Sequence, residues 1–199
     1  MRDLLFEIGM EEIPAGFLEP ALSFLQKRFV DKAAELHIAC GATRAMGTPR
    51  RLTLTVEGLA EMQEDTSEEL LGPSKKAGLD DQGRFTRAAE GFARSKGAAV
   101  EELQVVDTPK GEYLMLRRRQ AGVATITLLP ELLHGLLLDI PFAKSMRWGS
   151  NHHPFARPIQ WLVAMFGDEV VPFEHEGIVS GRISGGHRFL APQRFAVES

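Results

Sequence analysis

Leu18, Leu22, Leu25, Phe29, Ala33 and Leu36 recur at steps of three and four. No other feature constrains the fold of this chain as strongly. That spacing puts one apolar stripe on a helix, and the stripe is stable only against a second apolar layer. It predicts a long helix from Phe17 or Glu19 to about Cys40, stopped by Gly41. Pro20 fits if it lies in the first turn. Just upstream, Leu4, Leu5, Phe6 and Ile8 form a short apolar run ending at Gly9, which reads as a strand. Glu11 and Glu12 then approach the helix start, where the dipole favours acid; as neighbours they diverge too much to share a metal.

Downstream, Gly47-Thr48-Pro49 marks a turn, and Leu52, Leu54 and Val56 alternate with Thr53 and Thr55, as in a strand with one buried face. Glu57 to Glu69 carries six carboxylates and no basic residue, which reads as a solvated connector. Thr86 caps a short helix to Lys96, with Ala89, Phe92 and Ala93 inward. Strands are expected at 103–106 and 113–119 around Thr108-Pro109-Lys110-Gly111, with Arg117-Arg118-Arg119 as a charged edge. Leu129, Leu132, Leu133, Leu136, Leu137 and Ile140 predict a helix capped by Thr127. Leu128 and Leu138 make it apolar on more than one side, so it is either deeply buried or offers a leucine face to a partner. Ile159–Phe166, the turn Gly167-Asp168 and Glu169–Glu174 read as a hairpin.

The resulting fold class is α+β: a mixed or antiparallel sheet with packed helices, including one long N-terminal helix. The expected organisation is an N-terminal α+β region over 1–120 and a helix-plus-hairpin region over 121–199, incomplete at its C-terminal end, or one continuous unit.

Charge points to a function class. The chain is acidic, with formal net charge −4, so any nucleic-acid contact must come from a local patch. Between Phe142 and Met165 stand Lys144, Arg147 and Arg157, two histidines and no carboxylate, together with both tryptophans, Trp148 and Trp161. The glycine-rich S-G-R-I-S-G-G-H-R-F follows. Guanidinium groups pair with phosphate and flat rings stack on bases, which is what an RNA partner requires. The competing reading is a solvated loop followed by a core strand. The lone cysteine, Cys40, excludes an internal disulfide framework and suits a reducing, cytoplasmic setting. No apolar run reaches the length of a membrane span.

Templates for chemistry are missing. Gly72-Pro73-Ser74-Lys75-Lys76-Ala77-Gly78 lacks the G-K-[ST] ending of a phosphate loop. His152, His153, His175 and His187 fall in no H-E-x-x-H pattern, so no metal ligand is assigned. There is no G-x-S-x-G and no dinucleotide fingerprint, and no catalytic residue is assigned.

The motifs K-S-M-R-W-G, F-A-R-P-I-Q-W-L, S-G-R-I-S-G-G-H-R-F-L, L-L-F-E-I-G-M-E-E-I-P-A, T-P-R-R-L, G-P-S-K-K-A-G and A-A-E-G-F-A-R span essentially the whole chain. In order and content they resemble the N-terminal part of the beta subunit of bacterial heterotetrameric glycyl-tRNA synthetase. The resemblance implies a fragment of a longer beta chain that continues into an HD-like region and an anticodon-binding domain. It implies an alpha subunit that holds the class II catalytic core with ATP, Mg2+ and glycine. The beta subunit binds tRNA(Gly) in that picture and supports transfer to the tRNA 3′ end; no cofactor is expected in this segment. The expected partners are the alpha subunit, tRNA(Gly) and the remainder of the beta subunit. From charge and motif, the candidates for RNA contact are Arg50, Arg51, Lys144, Arg147, Arg157, Arg182, His187 and Arg188, with Met146 beside them. The candidates for a subunit interface are Leu132, Leu136, Trp148 and Trp161.

Overall fold

The computed structural model describes residues 1–149 and 152–198. In chain order its elements are β1 (Arg2–Met10), α1 (Ala15–Glu35), β2 (Thr43–Thr48), β3 (Arg51–Leu59), β4 (Thr66–Ser74), α2 (Lys75–Gly78), α3 (Arg87–Ser95), β5 (Leu103–Thr108) and β6 (Gly111–Gln120). There follow α4 (Thr125–Asp139), β7 (Ile159–Phe166), β8 (Glu169–Val170), β9 (Glu174–His175), β10 (Ile178–Val179), β11 (Ile183–Gly185) and β12 (Arg194–Ala196). The class is α+β, and its main sheets are antiparallel.

The chain forms two compact units, Met1–Glu64 with Val123–Ser199, and Asp65–Gly122. This partition differs from the expected 1–120 and 121–199. The reason is strand pairing: β1 lies between β3 and β7, so Leu4 is in register with both Val56 and Phe166. A C-terminal strand therefore completes an N-terminal sheet, and 65–122 is an insertion between them.

The first unit has a five-stranded sheet in the order β2-β3-β1-β7-β8. Period-two alternation places Leu4, Phe6, Ile8 and Met10 on one face. All four are essentially buried, and they share a core with Leu25 and Phe29 of α1 and with Leu129, Leu133 and Leu137 of α4. Each such side chain contributes about 1.5–3 kcal/mol through burial.

The N-terminal helix has 21 residues and ends at Glu35, short of Cys40. Its stop is not Gly41 but His37, which adopts φ +52°. Ile38 N donates to the Ala33 carbonyl at 2.8 Å and His37 N to Ala34 at 3.0 Å, closing the last turn, while Ile38 is buried. A left-handed histidine gives no composition signal, whereas a glycine does, which is why the sequence points to Gly41. Pro20 lies beyond the first turn, sixth in the helix, and Pro130 is likewise sixth in α4. The cap of α4 is Ala124 rather than Thr127, whose hydroxyl donates to the Ala124 carbonyl at 2.7 Å.

The second unit is a three-stranded sheet in the order β4-β6-β5, with Leu103, Leu114 and Leu116 packed on Ala89 and Ala93 of α3. Two readings change here. The acidic stretch is not only a connector, because β4 begins at Thr66. Arg117–Arg119 lie on the central strand, not at an edge, in register with Glu69, Glu68 and Ser67. Arg117 pairs with Glu69 and Arg119 with Asp65, so two of the three arginines already have acidic partners. No helix among the described residues is long and apolar enough to cross a membrane.

Candidate nucleic-acid interface

The turn between β2 and β3 delivers Arg50 and Arg51 to the end of the large sheet where β1 finishes and β7 starts. Gly9 is in register with both Arg51 and Trp161, on the face turned away from the helices. With no Cβ at Gly9, the indole of Trp161 lies directly across its backbone; a methyl there would overlap the ring. Gly185 of β11 sits against the same indole, so close that a Cβ would stand 2.9 Å from it.

Two residues along the same face is Glu7, 6% exposed. Its carboxylate accepts from Trp161 Nε1 at 2.7 Å and from Ser184 Oγ at 2.5 Å. Arg51 Nε stands 3.3 Å from the other oxygen, and Arg51 Nη2 also donates to the Gly185 carbonyl. The Arg51 guanidinium lies 5.8 Å from the Trp161 ring centre, within cation–π range. A buried charge persists only when paired and hydrogen-bonded, and Glu7 meets both conditions.

Further out the pairing loosens. Glu11 faces two guanidiniums, Arg50 Nη2 and Arg188 Nη1, each at 3.6 Å. Arg157 Nε donates to the Glu12 carbonyl at 3.1 Å, which brings a fourth arginine to this turn. Arg188 lies 5.8 Å from the Phe189 ring, and Phe189 is 81% exposed. Arg50, Arg51, Trp161, His187, Arg188 and Phe189 line an open cavity of about 400 Å³. A smaller one beside it, about 200 Å³, adds Gln160 and Arg194. Four arginines, Arg50, Arg51, Arg188 and Arg194, line these two cavities with aromatic rings among them; Glu7 and Glu11 pair with three of them, and Arg157 meets the edge through the Glu12 carbonyl.

Comparison with known proteins decides the family. The model described as glycyl-tRNA synthetase beta subunit matches residues 4–199. The chain belongs to the glycyl-tRNA synthetase beta subunit family. It is 49% identical over 98% of its length to the glycine–tRNA ligase beta subunit of Trichlorobacter lovleyi, of which it covers 28%. It is 45% identical to that of Syntrophus aciditrophicus over 100% of its length and 47% identical to that of Geobacter metallireducens over 99%, covering 29% of each. The chain thus spans under a third of the beta subunits it matches.

In this beta-subunit segment the sequence candidates separate into groups. Arg50, Arg51, His187 and Arg188 line the cleft with Trp161, and Arg157 meets its edge through the Glu12 carbonyl. Arg182 does not; its Nη2 donates to the Asp168 carbonyl at 2.8 Å, at the turn that ends β7. Lys144 and Arg147 lie on the exposed loop before β7, where Arg147 Nε donates to the His152 carbonyl at 2.8 Å. Trp148 is half-buried beside Phe155, and its Nε1 points to the Phe155 carbonyl at 3.4 Å. Leu132 and Leu136 are 7% and 1% exposed, so α4 spends them on its own core rather than on a presented face. Glu11 and Glu12 do precede α1, which starts at Ala15, and Glu11 also faces arginines.

Three residues of the cleft escaped sequence reasoning. Glu7 stands inside the apolar run of β1 with nothing local to mark its partners; Ser184 and Arg194 belong to no motif that signals charge pairing. The one available hint was a carboxylate alternating with β1 core residues, on a strand that turns out to be covered on both faces.

A histidine cluster lies elsewhere in the unit. His134 Nε2 is 3.3 Å from His175 Nδ1, and the His153 and His175 rings are 5.4 Å apart. Burial holds His153 and His175 below the ordinary histidine pKa. Burial alone would raise the Glu176 carboxyl, but the backbone N–H groups of His153 and His152, at 2.6 and 2.5 Å, outweigh it and hold the group low. Among the described residues no three His, Cys, Asp or Glu side chains are placed to hold a metal.

Proposed function

We propose that this segment is the N-terminal part of a glycine–tRNA ligase beta subunit and contributes RNA contact to the ATP-dependent attachment of glycine to tRNA(Gly) in cytoplasmic protein synthesis. Family membership supports the ligase, and its naming as a beta subunit supports an alpha-subunit partner. The observation that carries the RNA contact is the cleft: Arg50, Arg51, Arg188 and Arg194 gathered around Trp161, with Phe189 beside them, on an otherwise acidic chain. Guanidinium groups at such a site neutralise phosphates and release counterions, while exposed rings accept bases.

ATP and Mg2+ belong to the alpha subunit in this proposal. The nearest approach to a phosphate loop here, Gly72–Gly78, is the end of β4 and the four-residue α2, and Lys75 is held by Glu112 at 2.8 Å.

The test is tRNA(Gly) binding by the full-length beta subunit with its alpha partner, measured across salt concentration. Log affinity should fall linearly with log salt, and Arg188→Ala and Arg194→Ala should each flatten the slope by about one unit. Unchanged slopes in both variants would remove the RNA role.

A second reading makes the segment a docking platform for the alpha subunit without RNA contact. Phe189 and Leu190, 81% and 85% exposed, favour it. Under that reading Leu190→Asp dissociates the alpha subunit and leaves the salt slope of tRNA binding as it was.

A further inference from the structure

Resting on the RNA reading of the cleft, we infer that the space between Arg50 and Arg188 is a single-phosphate subsite for an unpaired RNA nucleotide, and that in the free chain the carboxylate of Glu11 stands in for that phosphate. The two arginine-paired carboxylates of the cleft are held in different ways. Glu7 is buried and accepts hydrogen bonds at 2.5 and 2.7 Å, so it is fixed. Glu11 is 38% exposed in its side chain and stands 3.6 Å from each of two guanidiniums. Charge-assisted N–H···O bonds close to roughly 2.7–2.9 Å, so Glu11 neutralises its partners without bonding them.

One oxygen faces each arginine, which is the arrangement a bridging phosphate makes with better reach and more charge. The Nε atom of Arg50 is buried and has no hydrogen-bond partner among the described residues, so this guanidinium has donor capacity unspent. Displacing Glu11 costs a weak, solvated pair, whereas displacing Glu7 would strand a buried network.

The unpaired state follows from Phe189. Its ring is exposed and lies beside Arg188, so a nucleotide whose phosphate sits between the arginines brings its base to the ring. A base inside a duplex has both faces covered by its neighbours and cannot stack there. The cavity, about 400 Å³, is of small-ligand size rather than a trough for a helix.

The experiment uses the full-length protein and two probes at fixed salt: a 5′-phosphorylated tetraribonucleotide, and a blunt RNA duplex of the same charge. Glu11→Gln should tighten single-strand binding roughly two- to fivefold. Glu12→Gln, which removes the same charge from a neighbour whose carboxylate makes no ion pair among the described residues, should change it less. Phe189→Ala should weaken the single strand and leave the duplex unaffected. Thermal melts report folding, and Glu11→Asp, which shortens the carboxylate and keeps its charge, should shift binding in the same direction as Glu11→Gln. If Glu11→Gln is neutral or weaker while Arg188→Ala still weakens tRNA binding, the subsite is overturned and the RNA reading stands. If neither substitution matters, both fall. Equal tightening by Glu12→Gln, or equal affinity for duplex and single strand, also overturns the subsite.

Discussion

On the three-stranded sheet, Arg117 donates to Glu69 through Nε and Nη2, at 3.2 and 2.6 Å, and Arg119 forks onto Asp65. Each of these two guanidiniums has a carboxylate of its own: Glu69 is opposite Arg117 in the register, and Asp65 stands just before β4. At the end of the five-stranded sheet, Arg50 and Arg188 share the single carboxylate of Glu11, at distances too long for hydrogen bonds. In the sequence the two basic runs look alike. The difference teaches that a run of arginines signals a binding surface only where the fold withholds acceptors, and the acceptors of Arg117 and Arg119 come from 48 and 54 residues away.

The comparison breaks most visibly at Glu7. Glu7→Ala leaves the Trp161 N–H, the Ser184 hydroxyl and Arg51 without their shared acceptor, and should cost about 2–4 kcal/mol by urea unfolding. A loss no larger than that of a surface pair would mean the cleft is no more tightly built than the cross-strand ladder. Gly9→Ala comes next: a methyl beneath the indole forces Trp161 out, at about 1–3 kcal/mol, and should change tryptophan emission in a Trp148→Phe background.

Binding sharpens the contrast. Arg117→Ala should leave the salt slope of tRNA binding unaltered, where Arg188→Ala flattens it by about one unit. Equal flattening by both would erase the distinction between spent and available arginines.

Acid should also separate the units. His153 and His175 have folded pKa values lowered by burial, so the unfolded chain binds more protons near and below pH 6.5. Their stabilisation of the first unit is full above about 6.5 and is lost as pH falls toward their folded values. Asp65 is held low by the Gly122 N–H and by Arg119, so its contribution to the second unit is present above the usual aspartate value of 3.8 and is lost only below it. Amide protection measured down the pH scale should therefore fall in β7 before it falls in β4 and β6; the reverse order would contradict the assignment. Smallest of all, Arg119→Ala should cost under about 1 kcal/mol, because its pair is exposed.

Much of the architecture was legible. The 3.6-residue stripe on Leu25 and Phe29, the alternation of Leu52, Leu54 and Val56, and the apolar pattern of α4 each report which face is buried, because periodicity is a local property of the chain. The motif-bearing residues Arg50, Arg51, Trp161 and Arg188 did assemble, though Arg182 went to the far end of β7 and Leu132 and Leu136 into the core.

By itself, then, the amino-acid order settled three helices, the strands β1, β3, β5, β6 and β7, the α+β class with the sheet left mixed or antiparallel, and the family; it missed β2 and β4, and the expected strand Glu169–Glu174 is only Glu169–Val170. Only the tertiary structure decided that 65–122 is an insertion, that His37 stops the first helix, and that Glu7 rather than any histidine anchors the cleft. The physical reason is range. Burial patterns repeat within a few residues, whereas the partner of a charge is chosen by register between strands far apart in sequence. Ser184 reaches Glu7 across 177 positions, a pairing that no spacing along the chain encodes.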